Sequence, residues 1–190
     1  MMNTIDPLSD DALSDLFRIS DSDTTRIIKR EDSRVEFKTS YSHAGMAEYF
    51  RTIASFANKE SGYIIFGIGN NPRSLIGLKN KKLEQFEGLK TEEFTKNLCE
   101  YFAPEIKWSH VTYDFLNLKF GVIYVYPLEQ KPAVCKKVYD HPKENYSLKE
   151  GDIYYRYGGR SEKIHYTELL KIIDENRNKE EEKWLKFLTK

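Results

Sequence analysis

The residues best suited to hold a charged ligand lie near the end of the chain. Arg156, Gly158, Gly159 and Arg160 set two guanidiniums around a pair of glycines. A guanidinium offers a planar fork of N–H donors that matches phosphate, and glycines let backbone N–H groups turn toward an anion. Lys38, Lys136 and Lys137 are expected to share one positive surface with them, and Lys79, Lys81, Lys82 and Lys131 add further charge. Such contacts grip a sugar-phosphate backbone without reading its sequence. Tyr154, Tyr155 and Tyr157 run through the same segment; tyrosine rings can stack on bases, although strand alternation turns some of the three inward. Other chemistries are poorly served. Gly67-x-Gly69 follows an apolar run, but it lacks a third glycine and a lysine-serine pair, and Pro72 interrupts any helix start. Cys99, Cys135 and the four histidines are scattered without metal-ligand spacing.

Positioning these groups falls to one domain. A chain of 190 residues can bury a proper core. With 39% hydrophobic and 32% charged residues, it falls outside the composition of disordered chains. No apolar run approaches the roughly 20 residues that span a bilayer, so no membrane partner is expected. Residues 1–15 are rich in Asp and have no basic start leading into an apolar stretch, unlike a secretory signal. A reducing cytoplasm is the expected compartment. The net charge of zero hides an asymmetry: residues 1–24 hold six Asp against Arg18, which leaves 24 acids and 29 bases, about +5, on the remainder. The expectation is a solvated acidic helical arm over 1–29, one domain over 30–173, and a charged helical extension over 174–190.

Within that frame, residues 11–19 and 24–29 read as short helices. Residues 34–38 alternate as a half-buried strand, with Val35 and Phe37 on one face and Glu36 and Lys38 on the other. Helical spacing of Met46, Tyr49, Phe50, Ile53, Ala54 and Ala57 predicts an amphipathic helix over 44–58. A buried strand over 63–68 is expected to turn at Gly69-Asn70-Asn71-Pro72 into a returning strand over 74–77. Thr91 opens a helix with an acidic first turn, which ends before Pro104. A hairpin around Asn117, strands over 133–138 and 152–157, and a long helix over 167–187 complete the chain. Trp184, Leu185 and Leu188 on that last helix form a stripe suited to a partner subunit or to a further downstream domain, so a homodimer is one option. The order describes an α+β fold with a mixed β-sheet and packed helices.

Three segments resemble the Schlafen-like AlbA-type domain, a family whose members carry DNA-binding or divergent ATP-binding labels. Glu31-Asp32-Ser33-Arg34-Val35-Glu36-Phe37-Lys38 is similar to its E-S-x-x-x-E-F-K opening. Residues 53–58 (I-A-S-F-A-N) with 61–68 (S-G-Y-I-I-F-G-I) resemble its A-F-A-N…G-G-x-x-x-x-G-V signature, and residues 153–158 (I-Y-Y-R-Y-G) its closing Y-x-R-x-G-S block. In nuclease members, the resemblance implies three acids around Mg²⁺ or Mn²⁺. Glu31 and Glu36 match two of them and would be the metal ligands; the third place falls on Asn70. An amide supplies an oxygen but no charge, which weakens both the ion and its power to acidify water.

The spacing adds its own constraint. Five residues is an odd step, so Glu31 and Glu36 would face opposite sides of an unbroken strand. They can share an ion only if the chain turns between them, and Asp32-Ser33 suits such a turn. Otherwise Glu36 belongs to the wet face of a strand beside Lys38. The leading expectation is a domain that binds the phosphate backbone of DNA or RNA, with no certain cofactor. The rival is a metal-dependent endoribonuclease on tRNA-like RNA. A third option is a nucleotide-sensing or interaction module of a regulator.

Overall fold

The computed structural model describes residues 6–142 and 146–189. The chain begins with α1 (Asp10–Leu16) and a ribbon of β1 (Ile19–Ser20) and β2 (Asp23–Ile27), followed by β3 (Val35–Lys38), α2 (Met46–Lys59) and β4 (Gly62–Phe66). Two helices come next, α3 (Asn80–Glu87) and α4 (Thr91–Tyr101), then β5 (Phe102–Ala103), β6 (Trp108–Phe115) and β7 (Leu118–Val125). Strands β8 (Val134–Cys135), β9 (Tyr154–Tyr157) and β10 (Arg160–Lys163) lead to α5 (Tyr166–Leu188). The fold is α+β. Its central sheet has the order β3-β4-β7-β6, with β3 parallel to β4 and the other neighbours antiparallel. A parallel pair needs a crossover, which α2 provides.

Both faces of the sheet are covered, which explains the near-continuous apolar run of β4. Ile64 and Phe66 point into the larger core, shared with Phe50, Ile53 and Ala57 of α2 and with Phe86 and Phe94 of α3 and α4. Val35, Phe37, Ile65 and Val122 point the other way, onto Leu13, Leu16, Phe17 and Ile27. The acidic N-terminal segment is therefore not a solvated arm. Its aspartates face water, but Phe17 is 0% exposed and Leu13 1%. Burying each such side chain contributes about 1.5–3 kcal/mol, and the exposed aspartates keep their hydration on folding, so they do not oppose it.

Local corrections follow the same logic. Residues 24–29 form no helix: the β-branched pair Thr24-Thr25 lies in β2, where Ile19 pairs with Ile27. Residues 74–77 make only single bridges, Ile68 with Leu75 and Arg26 with Ser74. Thr91 is the first residue of α4 rather than its cap; Lys90 occupies that place without a side-chain bond. The helix α3 and the strand β10 were not expected. In α3 Phe86 alone is fully committed to the core, and so short a segment shows little periodicity.

The β6–β7 hairpin closes on Leu116 and Asn117, with φ of 49° and 60°. A two-residue turn with both φ positive follows the twist of the strands, yet the left-handed region costs a leucine roughly 1–2 kcal/mol. Leu116 gains little in return, being 53% exposed. Leu116→Asn is expected to raise the unfolding free energy by about 1 kcal/mol. A urea titration should show a higher midpoint at unchanged slope; a lower midpoint would contradict this account of the turn.

Candidate functional site

The site is built around a buried arginine. Arg156 sits on β9, where alternation turns Tyr154 and Arg156 inward and leaves Tyr155 and Tyr157 partly exposed. Strand β9 pairs only with β10, through a turn at Gly158-Gly159 in which Gly158 has φ of +56°. The hairpin lies over α2 and beside β3, an edge strand of the sheet. Arg156 is 1% exposed. Its Nη2 donates to Glu36 Oε2 at 2.7 Å and to the Val35 carbonyl at 3.1 Å, its Nε to the Asp32 carbonyl, and its Nη1 to Ser161 Oγ. The Phe56 ring lies 4.9 Å from the guanidinium carbon. That ring has room only because residue 62 is glycine: a Cβ there would stand 2.3 Å from Phe56. Arg156 is therefore withdrawn from the ligand-binding surface expected of it, and its donors are spent inside the protein.

Glu36 is likewise 8% exposed and does not occupy a wet face. It lies on the α2 side of β3, with Oε2 on Arg156 and Oε1 on Lys38 Nζ at 2.5 Å. Lys38 also meets Glu48 Oε1 at 2.8 Å. Burial pulls the Lys38 pKa down, but the two carboxylates outweigh it and hold it above its ordinary value. Lys38 is thus engaged too.

The turn between the two glutamates is present. Asp32 N donates to the Val35 carbonyl, and Asp32 Oδ1 accepts from Arg34 N at 2.7 Å. The reversal brings Glu31 back alongside β3, where its Oε1 accepts from Phe37 N at 3.0 Å. Burial raises the Glu31 pKa, and the nearby charge of Glu36 adds to this against the Phe37 hydrogen bond, Lys38 and Arg156. The two acids are brought together, but Asn70 is not. It is exposed, beyond the end of β4, in a turn fastened to the N-terminal ribbon by Ile27 N to the Arg73 carbonyl and Leu75 N to the Thr25 carbonyl. Among the described residues, no three His, Cys, Asp or Glu side chains stand where they could hold a metal ion. A Mg²⁺ or Mn²⁺ ion at this place would have to compete with Arg156 and Lys38 for the Glu36 carboxylate.

Against this buried cluster opens a cleft of about 270 Å³, lined by Glu48, Arg51, Tyr146, Gly159, Arg160 and Glu162, with Glu36 and Arg156 in its wall. Arg160 is on its rim, exposed and paired with Glu162 at 3.3 Å. Lys136 and Lys137 lie elsewhere, at the end of α4, where Lys137 pairs with Glu100 and Lys136 N bonds to the Tyr101 carbonyl. The single positive surface expected from the sequence is not assembled. Lys131 turns to the Lys59 carbonyl, and the three tyrosines have structural contacts: Tyr154 with Asp152, Tyr155 with Lys59, and Tyr157 with Glu168 and His165.

Arg51 was missed. It extends from α2 beneath Tyr146, its guanidinium carbon 4.6 Å from that ring, and its Nη2 donates to the Ser161 carbonyl. Its buried Nε has no hydrogen-bond partner, and among the described residues Arg51 makes no ion pair. A signal existed. Glu48, Arg51, Thr52 and Ser55 put a polar line at helical spacing along a helix that is otherwise mostly apolar before Asn58 and Lys59. Thr52 and Ser55 are buried, and Ser55 Oγ lies 2.8 Å from Ser161 Oγ. Asn58, the last residue of the I-A-S-F-A-N block, has a structural task. It is fully buried and bonds both ways with the Ala133 backbone while donating to the Tyr154 carbonyl.

The chain belongs to the family described as Schlafen, AlbA_2, whose profile matches residues 31–165. An uncharacterized ATP-binding protein from Ureaplasma parvum serovar 3 is 36% identical over 158 residues, which cover 76% of this chain and 42% of that protein. The chain thus spans less than half the length of this curated relative. A Corynebacterium diphtheriae crystal structure aligns at 15% identity and a TM-score of 0.44, over 70% of this chain and 22% of that one. The N-terminal domain of a RecG-related protein from Nitrosomonas europaea, solved in solution, aligns at 16% and 0.41, over 73% and 88%.

Two outcomes follow from the cluster. Arg156→Met leaves the buried Oε2 of Glu36 without its cation, with Lys38 alone on the other oxygen, and is expected to cost about 3 kcal/mol of stability, while Glu36→Met/Arg156→Met costs much less because Glu48 still pairs Lys38. A double-mutant cycle by denaturant unfolding measures this, and additive losses would show that the pair is not coupled. Glu31 has its pKa raised on folding, so stability grows as pH falls through the raised value toward the ordinary 4.5. Glu31→Gln keeps the oxygen for Phe37 N and removes the charge. It should stabilise the protein near neutral pH by about 0.5 kcal/mol or less, given partial solvent screening, and the gain should vanish in acid.

Proposed function

We propose that this chain is a nucleic-acid-binding domain that grips the phosphate backbone of DNA or RNA in the cleft between α2 and the β9–β10 hairpin, within the cytoplasm. The observation that carries the reading is Arg51. It lines the cleft with a spare buried donor and no carboxylate partner among the described residues, stacked under a tyrosine that is 41% exposed. A guanidinium with free donors, braced by a ring, is well suited to a phosphate oxygen. Arg160 supports the same reading. Its pair with Glu162 is exposed and weak, so a phosphate can replace the carboxylate at little cost. The family and its DNA-binding labels point the same way. Arg51 and Arg160 replace Arg156 and Lys38 as the contacting groups, with Lys136 and Lys137 outside the cleft.

The relative's description as ATP-binding favours a second reading, in which the cleft takes one nucleoside phosphate rather than a strand. Its volume of about 270 Å³ is on that scale, and Tyr146 offers a face for a base. A metal-dependent endoribonuclease on tRNA-like RNA would first have to release Glu36 from Arg156.

Labelled DNA and RNA oligonucleotides titrated at rising salt test the proposal. Affinity should fall steadily with salt as counterions are retained, and Arg51→Ala/Arg160→Ala should weaken all sequences alike and reduce the salt slope by about 2. No binding at low salt overturns the reading. Binding that ATP abolishes selects the nucleotide reading. Cleavage of tRNA with Mg²⁺ or Mn²⁺ that is lost in Glu36→Gln selects the enzyme.

A further inference from the structure

The helix α5 is anchored on one side only. Ile172 is buried, Asn176 Nδ2 donates to the Lys131 carbonyl and Lys179 Nζ to the Glu129 carbonyl, fixing that face to the body. Among the described residues nothing covers an adjacent face, which is apolar at both ends. Leu170 and Ile173 are 40% and 51% exposed near its start, and Trp184 and Phe187 are 65% and 73% exposed near its end. Positions 170, 173, 177, 180, 184 and 187 step by three and four residues, the spacing of a coiled-coil seam. The two central places are charged: Arg177 and Glu180.

We propose that a second copy of this chain covers this face, with the two α5 helices antiparallel about a twofold axis. The partner is chosen by the order of residues along the seam. In antiparallel packing, each position of one kind in the seam faces the other kind across the axis. One register then matches every layer: Leu170 against the partner's Phe187, Ile173 against the partner's Trp184, and Arg177 against the partner's Glu180, each repeated by symmetry. A twofold interface must be complementary to itself, and this one is, apolar to apolar and acid to base. Parallel pairing sets Arg177 against Arg177 and Glu180 against Glu180, which like charges oppose. Within one chain, Arg177 and Glu180 pair with Asp174 and Lys183 at 3.0 Å, but these i,i+3 contacts are exposed and exchange at small cost.

Sedimentation of the whole chain at concentrations up to about 0.1 mM reads the result directly. The expected species is a dimer. Arg177→Glu alone, or Glu180→Arg alone, sets like charges in two central layers and should raise the dimer dissociation constant about a hundredfold or more. Combining Arg177→Glu with Glu180→Arg should restore it. All of these positions are exposed, so circular dichroism should show an unchanged fold. A wild-type monomer overturns the proposal, as do a dimer indifferent to either single reversal and a combined variant that stays dissociated. Oligonucleotide affinity of the dissociated variants is read separately, so this pairing and the cleft's function stand or fall independently.

Discussion

The fold is held at its edge by the ion pair of Glu36 and Arg156. Strand β3 ends the central sheet, and an edge strand presents N–H and C=O groups that have no ladder partner. Here those groups are met by side chains. The Val35 carbonyl accepts from Arg156, and Phe37 N donates to Glu31. Because β9 and β10 never join the central sheet, Arg156 is a main tie between their hairpin and β3. Such a buried pair is not obviously more stable than a hydrophobic one, but once present neither partner can be removed cheaply. The hairpin, the cleft beside it and the seat of α5 inherit their positions from it.

This arrangement gives the family's opening motif a physical meaning in this chain. Glu31 and Glu36, the two acids expected at an ion, are occupied in closing an edge and neutralising a buried guanidinium. Lys38 completes the balance with Glu48. The charge that remains available to a ligand is supplied from other elements, by Arg51 on α2 and Arg160 on β10. Nothing in the motif marks either residue.

Much of this was legible in the residues. The alternation in 34–38, the helical spacing in 44–58 and the apolar run of 63–68 each reflect one local period, and each element formed within a residue or two of its expected bounds. The parity of the Glu31–Glu36 spacing tied any approach of the two acids to a turn at Asp32-Ser33, because side-chain direction along a strand is a local property, and that turn is present. The errors arose where distant contacts decide. Arg156 reads as a surface group until Glu36 and Phe56 are known to surround it. The acidic leader reads as solvated until the uncovered face of the sheet is known to need Leu13 and Phe17. Residues 24–29 suit either a helix or a strand, and the pairing with β1 settles the matter.

Strand β9 carries a consequence of its own. Its inward side holds Arg156 in the core. On its other side, the Tyr157 hydroxyl accepts from His165 N, donates to Glu168, and its ring stacks on His165 at 4.4 Å, at the root of α5. Tyr157, His165 and Glu168 thus rivet the terminal helix to the wall of the cleft. The two sides of one strand touch the cleft and the helix respectively. Any free energy that couples occupancy of the cleft to the seating of the helix has the same size read from either end.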